Sequence, residues 1–320
     1  MLTINILFGI NYAVFAVFAV LVITEMMGSV LMLVAWDSVK GKVLDYVVPV
    51  WEVTGTFGAF WVVASDFAYP RILIPLASIF SAAIAIFLIL FVARNSTIVF
   101  AEFIKKRGWL DEKKLYTGYS LSTLLLGLVV LVIITGIIGG NGIDFRNLTF
   151  SVSSWAGNAT SWLFIIGALL MAIGLAPVFY DLAPLKKLVF PFTIAGLVVS
   201  VVSLYLFRHG SLPFLVAIPI ILALLVPVLY YLPSAVKIVT NKVFFIALVS
   251  ADIFSLEFMV YPTAFGGNIN VDSLISSGPM ASAYVAITVV GLVILAVLIA
   301  LYSIAVHRRS AMARKAVSSP

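Results

Sequence analysis

Four carboxylic acids sit well inside apolar runs of this 320-residue sequence: Glu25, Glu52, Asp252 and Glu257. An ionisable group in hydrocarbon costs about 2.5–3.5 kcal/mol on insertion scales, so it usually faces a protein interior, a wet cavity or a partner. No Lys or Arg falls deep in any of these runs, and the acids therefore have no evident internal ion-pair partner. A buried carboxyl without a counter-charge favours its neutral form, which is how such a group comes to carry protons. Asp66 and Asp181 lie nearer the ends of their runs. Metal and haem chemistry is sparsely provided for. Iron–sulfur clusters need Cys and haem iron is usually held by His, Met or Cys, yet the chain has no Cys and two His. His209 falls in a short Arg208-His209-Gly210 link and His307 in a basic tail.

The elements that hold these acids are read from composition. With 63% apolar and 10% charged residues, and repeated runs of about 18 residues or more, the chain is an all-α polytopic membrane protein. Nine transmembrane helices are expected near residues 4–36, 46–66, 70–93, 116–140, 160–181, 187–207, 212–232, 241–262 and 282–305. A transmembrane barrel would alternate in polarity, and Leu124 to Ile138 does not. The first run is too long and lacks the basic start of a cleavable signal peptide. Loops kept in the cytoplasm retain Lys and Arg. Of the 19 basic residues, 16 fall on one side and only Arg71, Arg146 and Arg208 on the other, which predicts an N-out, C-in topology. The same partition accounts for the net charge of +6 without any nucleic-acid partner. A polar loop from Gly139 to Ser161 divides the chain into residues 1–140, a first four-helix bundle, and 141–320, five helices with a basic cytoplasmic tail. The fold expected is two four-helix bundles plus one further helix.

Within that frame Glu25 and Glu52 lie roughly 16 and 9 Å from the cytoplasmic ends of adjacent spans, at 1.5 Å per residue. They are the candidate pair. Asp252 and Glu257 are five residues apart on one helix, an offset of roughly 140° that points them to different sides. Between the third and fourth spans, Ala101 to Leu115 mixes Phe103, Ile104, Trp109 and Leu110 with five basic residues, as a segment lying along the membrane surface would. Asn147-Leu148-Thr149 and Asn158-Ala159-Thr160 fit the N-glycosylation pattern, a tripeptide that also arises often by chance. Gly55 and Gly58 suit close helix approach.

Around Glu52 the order Thr24-Glu25, then Pro49-Val50-Trp51-Glu52, then Tyr69-Pro70 resembles subunit II of the cytochrome bd-type quinol oxidases. In that pattern an acid follows Thr in the first span, a Pro-x-Trp-acid motif opens the second and an aromatic-Pro pair closes it. Tyr261-Pro262 followed by Ser273-Leu274-Ile275-Ser276-Ser277 is a weaker match at the other end. The chain departs from the pattern at Gly28, where a second acid is common, at Thr54 in place of Asn, and at Gly278-Pro279-Met280, which lacks an expected Asp. Asp252 and Glu257 have no counterpart in the pattern.

The resemblance implies a non-haem membrane subunit with no catalytic residue or metal of its own, paired with a larger haem-bearing subunit I. The complex would sit in lipid at the cell membrane, oxidise quinol and reduce oxygen. In that setting Glu25 and Glu52 would carry cytoplasmic protons towards the oxygen-reducing haem, with Trp51 packed beside the route. Two other classes accommodate the same acids. An ion-coupled secondary transporter would add inverted repeats and broken helices near the midplane, neither of which is clear in the sequence, and a purely structural assembly subunit would use the acids as interface anchors.

Overall fold

A computed structural model of the chain describes residues 6–104, 109–261 and 263–297. The structure is helical, with α1 (Ile6–Ala68), α2 (Pro70–Ile79), α3 (Ser81–Phe103), α4 (Glu112–Gly139), α5 (Val152–Ala156) and α6 (Ala159–Phe179). The second half continues with α7 (Lys186–Phe207), α8 (Ala217–Tyr231), α9 (Val236–Val239) and α10 (Lys242–Val260). A last helix, α11, spans Pro279–Val297. Among the described residues, seven helices are long and apolar enough to cross a membrane, which makes this a multi-pass membrane protein.

The first of the seven contains two of the predicted spans. A straight helix of 63 residues would run about 95 Å, three times the hydrocarbon thickness of a bilayer. It does not run straight. Ala35 leaves the helical region at φ −144° and ψ 34°, and beyond it the chain folds back on itself. Asn11 Nδ2 donates to Ser65 Oγ at 2.9 Å, and the hydroxyls of Thr24 and Tyr46 lie 2.9 Å apart, so the two arms are antiparallel neighbours. Phe15 and Phe18 on the first arm pack on Trp61 of the second, at 4.7 and 6.1 Å between ring centroids. Gly58 faces Phe18, and a Cβ there would meet that ring at 2.8 Å, while Gly55 lies beside Phe91. Both glycines thus serve packing.

The third predicted span is longer than the sequence suggested. Pro70 opens α2, a break at Phe80 starts α3, and the helix continues ten residues past the apolar run, from Arg94 to Phe103. Other ends follow local chemistry. Asp111 caps α4 by accepting from the Lys114 amide at 2.8 Å, and Gly140 closes it in the left-handed region at φ 70°. Asn158 caps α6 and Asn241 caps α10, the latter accepting from two backbone N–H groups. Asn158 of the second glycosylation tripeptide is therefore held by its helix, and Asn147 of the first donates to Asp144 Oδ2 at 2.7 Å. Helix α10 was expected to span the membrane; it is 19 residues long, carries three charged side chains, Lys242, Asp252 and Glu257, and is not among the seven.

Helices α6 and α7 cross closely enough that a Cβ on Gly196 would lie 2.5 Å from the Met171 amide nitrogen. One continuous core then joins both halves of the chain, running from Val20 and Val43 through Ile98, Tyr116 and Tyr119 to Phe179, Val226 and Phe245. Lysines collect at one end of the bundle, where Lys40 lies 3.8 Å from Glu112 and Lys42 3.4 Å from Asp181. At that end Lys242 also stacks on Phe179 at 4.3 Å. The opposite end carries two short antiparallel hairpins, β1–β2 (Ile143–Asp144 with Thr149–Phe150) and β3–β4 (Thr263–Ala264 with Ile269–Asn270). Of the surface segment at 101–115, Phe103 and Trp109 are strongly exposed, while its Lys105–Gly108 stretch lies outside the described residues, as do His307 and the basic tail.

Candidate functional site

Glu25 is not an unpaired acid. The extra turns of α3 bring Arg94 into the bundle, where its Nη2 contacts Glu25 Oε2 in a salt bridge between side chains 4% and 1% exposed. This corrects the expectation that no base reaches the intramembrane acids, and its cause is the placement of the helix end. The apolar run stops at Ala93, but the helical face carrying Ile98 and Ala101 stays buried for two further turns and takes Arg94 with it.

The pair is surrounded by further donors. Tyr119 Oη donates to the same Glu25 Oε2 at 2.7 Å, from α4. Arg94 Nη1 donates to Asn95 Oδ1 at 2.9 Å, and Nη2 reaches the Trp51 carbonyl at 3.5 Å. The guanidinium also lies 5.4 Å from the Tyr119 ring centre and 6.0 Å from that of Phe91. Glu25 Oε1 is buried with no protein partner. One residue earlier, Thr24 donates to the Leu21 carbonyl at 2.8 Å, meets Tyr46 through its hydroxyl, and receives the Tyr180 hydroxyl on its backbone carbonyl at 2.8 Å. Burying ions is costly, and only good geometry with satisfied neighbours offsets the lost hydration. Four helical segments supply those neighbours here.

Gly28 belongs to the same cluster. A Cβ at this position would meet Tyr180 Oη at 2.5 Å and Val43 Cγ1 at 3.0 Å. The space that a side chain at position 28 would occupy is taken by the Tyr180 phenol, so the missing second acid has a local steric reason.

Glu52 is placed differently. It sits midway along the second arm of α1 and is exposed, facing away from the bundle, whereas Glu25 faces inwards. The structure therefore does not bring the two carboxylates together as a contacting pair. Trp51 stands between them in effect, since its side chain packs on the main core and its carbonyl accepts from the Arg94 that holds Glu25. Of the other acids, Asp66 is exposed and Asp181 is exposed beside Lys42. Asp252 and Glu257 both place carboxylate oxygens in the interior. Asp252 Oδ1 is buried without a partner, as are both Glu257 oxygens, next to Phe258, whose ring centre lies 6.2 Å from that of Tyr12.

The remaining motifs meet at the hairpin end. Tyr69 and Ile275 pack on a small core of Phe8, Tyr261, Ala264, Phe265 and Val271, and the Ser276 amide donates to the Ala68 carbonyl at 2.9 Å. Tyr69-Pro70, Tyr261 and the Ser273–Ser277 segment are thus one corner of the fold; Pro262 lies outside the described residues. No family profile and no curated protein matches the sequence. A solved structure does: the bd oxidase from Geobacillus thermodenitrificans superposes with a TM-score of 0.66 at 16% identity, over 92% of this chain and 96% of that one. The fold is that of a bd oxidase chain. At this identity the likeness establishes the architecture, and the activity has to be argued from the site.

Among the described residues no three His, Asp or Glu side chains gather as a metal-binding group. His209 is exposed in the turn after α7, and the interior around Glu25 is filled by the buried rings of Tyr46, Tyr119 and Tyr180.

Proposed function

We propose that this chain is the non-haem subunit II of a cytochrome bd-type quinol oxidase. In this reading it crosses the cell membrane nine times, counting both arms of α1 and helix α10, with the lysine-rich end in the cytoplasm and the chain grouped as residues 1–140 and 141–320. The observation that carries it is Glu52. A carboxyl exposed on a transmembrane arm, roughly 9 Å inside its cytoplasmic end, is costly against lipid, so this face calls for a protein partner. The fold shared with a bd oxidase chain supports this reading, and the partner proposed is a larger haem-bearing subunit I. The haems and the quinol chemistry belong to that subunit, and this chain's residues shape the boundary.

Glu52 then takes protons from the cytoplasmic side and presents them at the subunit boundary. The Trp51 carbonyl links that position to the Arg94–Glu25 pair, which holds the two arms of α1 and α3 in register behind it. Glu25 belongs to the same route as its inner, ion-paired member. The burial of that pair also favours a purely structural role for Glu25, and one experiment separates the two. In the intact complex, Glu52→Gln keeps shape and hydrogen bonding but cannot ionise, so quinol-driven oxygen reduction should slow with haem content unchanged. Glu52→Asp should recover part of the rate. If Glu25→Gln combined with Glu52→Gln is no slower than Glu52→Gln alone, the two act as a unit. Wild-type turnover and pH dependence in Glu52→Gln would remove the proton role and leave assembly.

A further inference from the structure

A second buried acid lies near the other end of the bundle, far from the lysines. Glu257 occupies the last turn of α10, where its amide-linked carbonyl accepts from the Tyr261 N–H. Both of its carboxylate oxygens are buried and have no hydrogen-bond partner in the protein. Among the described residues, no Lys or Arg lies within ion-pair distance of it. A negative charge there would also stand at the negative end of a helix dipole. An isolated carboxylate in such a place is disfavoured, which makes the carboxyl a group suited to binding a proton.

Tyrosines cluster near it on the side that leads to the surface. Phe258, next to Glu257, has its ring centre 6.2 Å from that of Tyr12, on the first arm of α1, and 6.4 Å from that of Tyr261, and Tyr69, at the end of the second arm, packs on the same small core. The Tyr69 hydroxyl is itself buried and unpartnered. Tyr261 Oη donates to Asp272 Oδ2 at 2.6 Å, and Asp272 is exposed. Tyr284 of α11 shares a neighbouring small core with Tyr69, and Arg208, at the end of α7, donates to the Met259 carbonyl at 2.5 Å. Phe8 and Phe258 wall the site, with Phe8 4.4 Å from the Tyr261 ring centre. A phenol can accept a proton on its oxygen while giving up its own, so tyrosines join a buried acid to an exposed one without carrying net charge.

We propose that Glu257 is a proton-binding site that exchanges with the aqueous phase at the hairpin end of the molecule through Tyr261 and Asp272. For each transfer the Glu257 side chain turns to bring its O–H to Tyr261, one turn further along the chain; Tyr261 takes that proton as it passes its own to Asp272, and Asp272 releases it to water, with uptake running the same steps in reverse. The site is separate from the Glu25–Arg94 pair and holds whether or not this chain serves an oxidase.

The test is infrared difference spectroscopy on the full-length protein in its native complex, reconstituted in lipid and followed while H2O is replaced by D2O. A carbonyl band of a protonated carboxyl should vanish in Glu257→Gln and move in Glu257→Asp. In Tyr261→Phe and Asp272→Asn the band should remain, but its deuterium shift should slow by about tenfold, the rate equivalent of one lost hydrogen bond. The two latter variants leave Glu257 in place, so they report even if its replacement disturbs assembly. The absence of any band sensitive to Glu257 would overturn the proposal, as would exchange at the wild-type rate in both Tyr261→Phe and Asp272→Asn.

Discussion

Replacing Glu25 by glutamine leaves Arg94 buried without its counter-charge, and the structure indicates what remains to hold it. Arg94 keeps a 2.9 Å bond to Asn95 and a 3.5 Å approach to the Trp51 carbonyl, with its side chain only 4% exposed. Breaking a buried ion pair from one side typically costs about 3–5 kcal/mol, and Glu25→Gln should fall in that range because a guanidinium does not lose its proton. Arg94→Gln should cost less, since a stranded carboxyl can take up a proton. The double variant Glu25→Gln/Arg94→Gln removes both charges and should cost less than the two singles added together, with an interaction energy of about 2 kcal/mol, inside the range seen for residues in contact. Unfolding in mixed micelles, followed by helical circular dichroism as denaturing detergent is added, measures all four corners of the cycle. Strictly additive costs, or a Glu25→Gln protein as stable as the wild type, would refute the claim that this pair anchors α3 to the first hairpin.

Three further outcomes follow from the same geometry. Gly28→Ala should cost about 1–3 kcal/mol by overpacking, because its methyl would sit 2.5 Å from Tyr180 Oη, and adding Tyr180→Phe should recover part of that loss in the same unfolding assay. Asn241→Ala removes the acceptor for the Val243 and Phe244 amides at the start of α10 and should lower stability by about 1 kcal/mol, with the loss of protection seen in hydrogen exchange of those two amides. Asp144 accepts from the Asn147 side chain and from the Asn147 and Arg146 amides, which hold its carboxyl below the usual carboxylate range. A depressed value means that its contribution to the β1–β2 turn is complete at neutral pH and is lost as pH falls through that value. Opening of the turn on acidification, read from the Arg146 and Asn147 amide resonances, should be absent in Asp144→Asn.

The sequence made the apolar helices legible because burial in lipid needs long uninterrupted runs, and those runs mark α4, α6, α7 and α8 within a few residues. It also marked Glu25 as an acid within a span, and the structure buries that side chain. It misplaced the end of α3, since hydropathy registers the charge at Arg94 and stops, whereas the helix is carried on by Ile98 and Ala101 packing inwards. The available signal was a single Arg between Phe91-Val92 and Ile98-Val99-Phe100, separated from the next basic residue by a full apolar turn. The sides taken by Glu25 and Glu52 could not be read from depth alone, because which face of each arm turns inwards depends on the reversal at Ala35 and on Tyr119 and Tyr180 reaching in from α4 and α6. The corner formed by Tyr69, Tyr261 and Ser276 joins segments some 190 residues apart, a distance that local pattern does not bridge.

The central claim is that this chain works beside a haem-bearing oxidase subunit. Its most direct test is to capture the tagged chain from native membranes in mild detergent, record the visible spectrum before and after reduction, and follow oxygen uptake on adding a short-chain quinol. The account predicts a larger partner that carries all the haem, with quinol-dependent oxygen consumption in the captured complex. Capture of the chain without any haem protein and without quinol-driven oxygen uptake, or haem bound in stoichiometric amount to this chain alone, would contradict it.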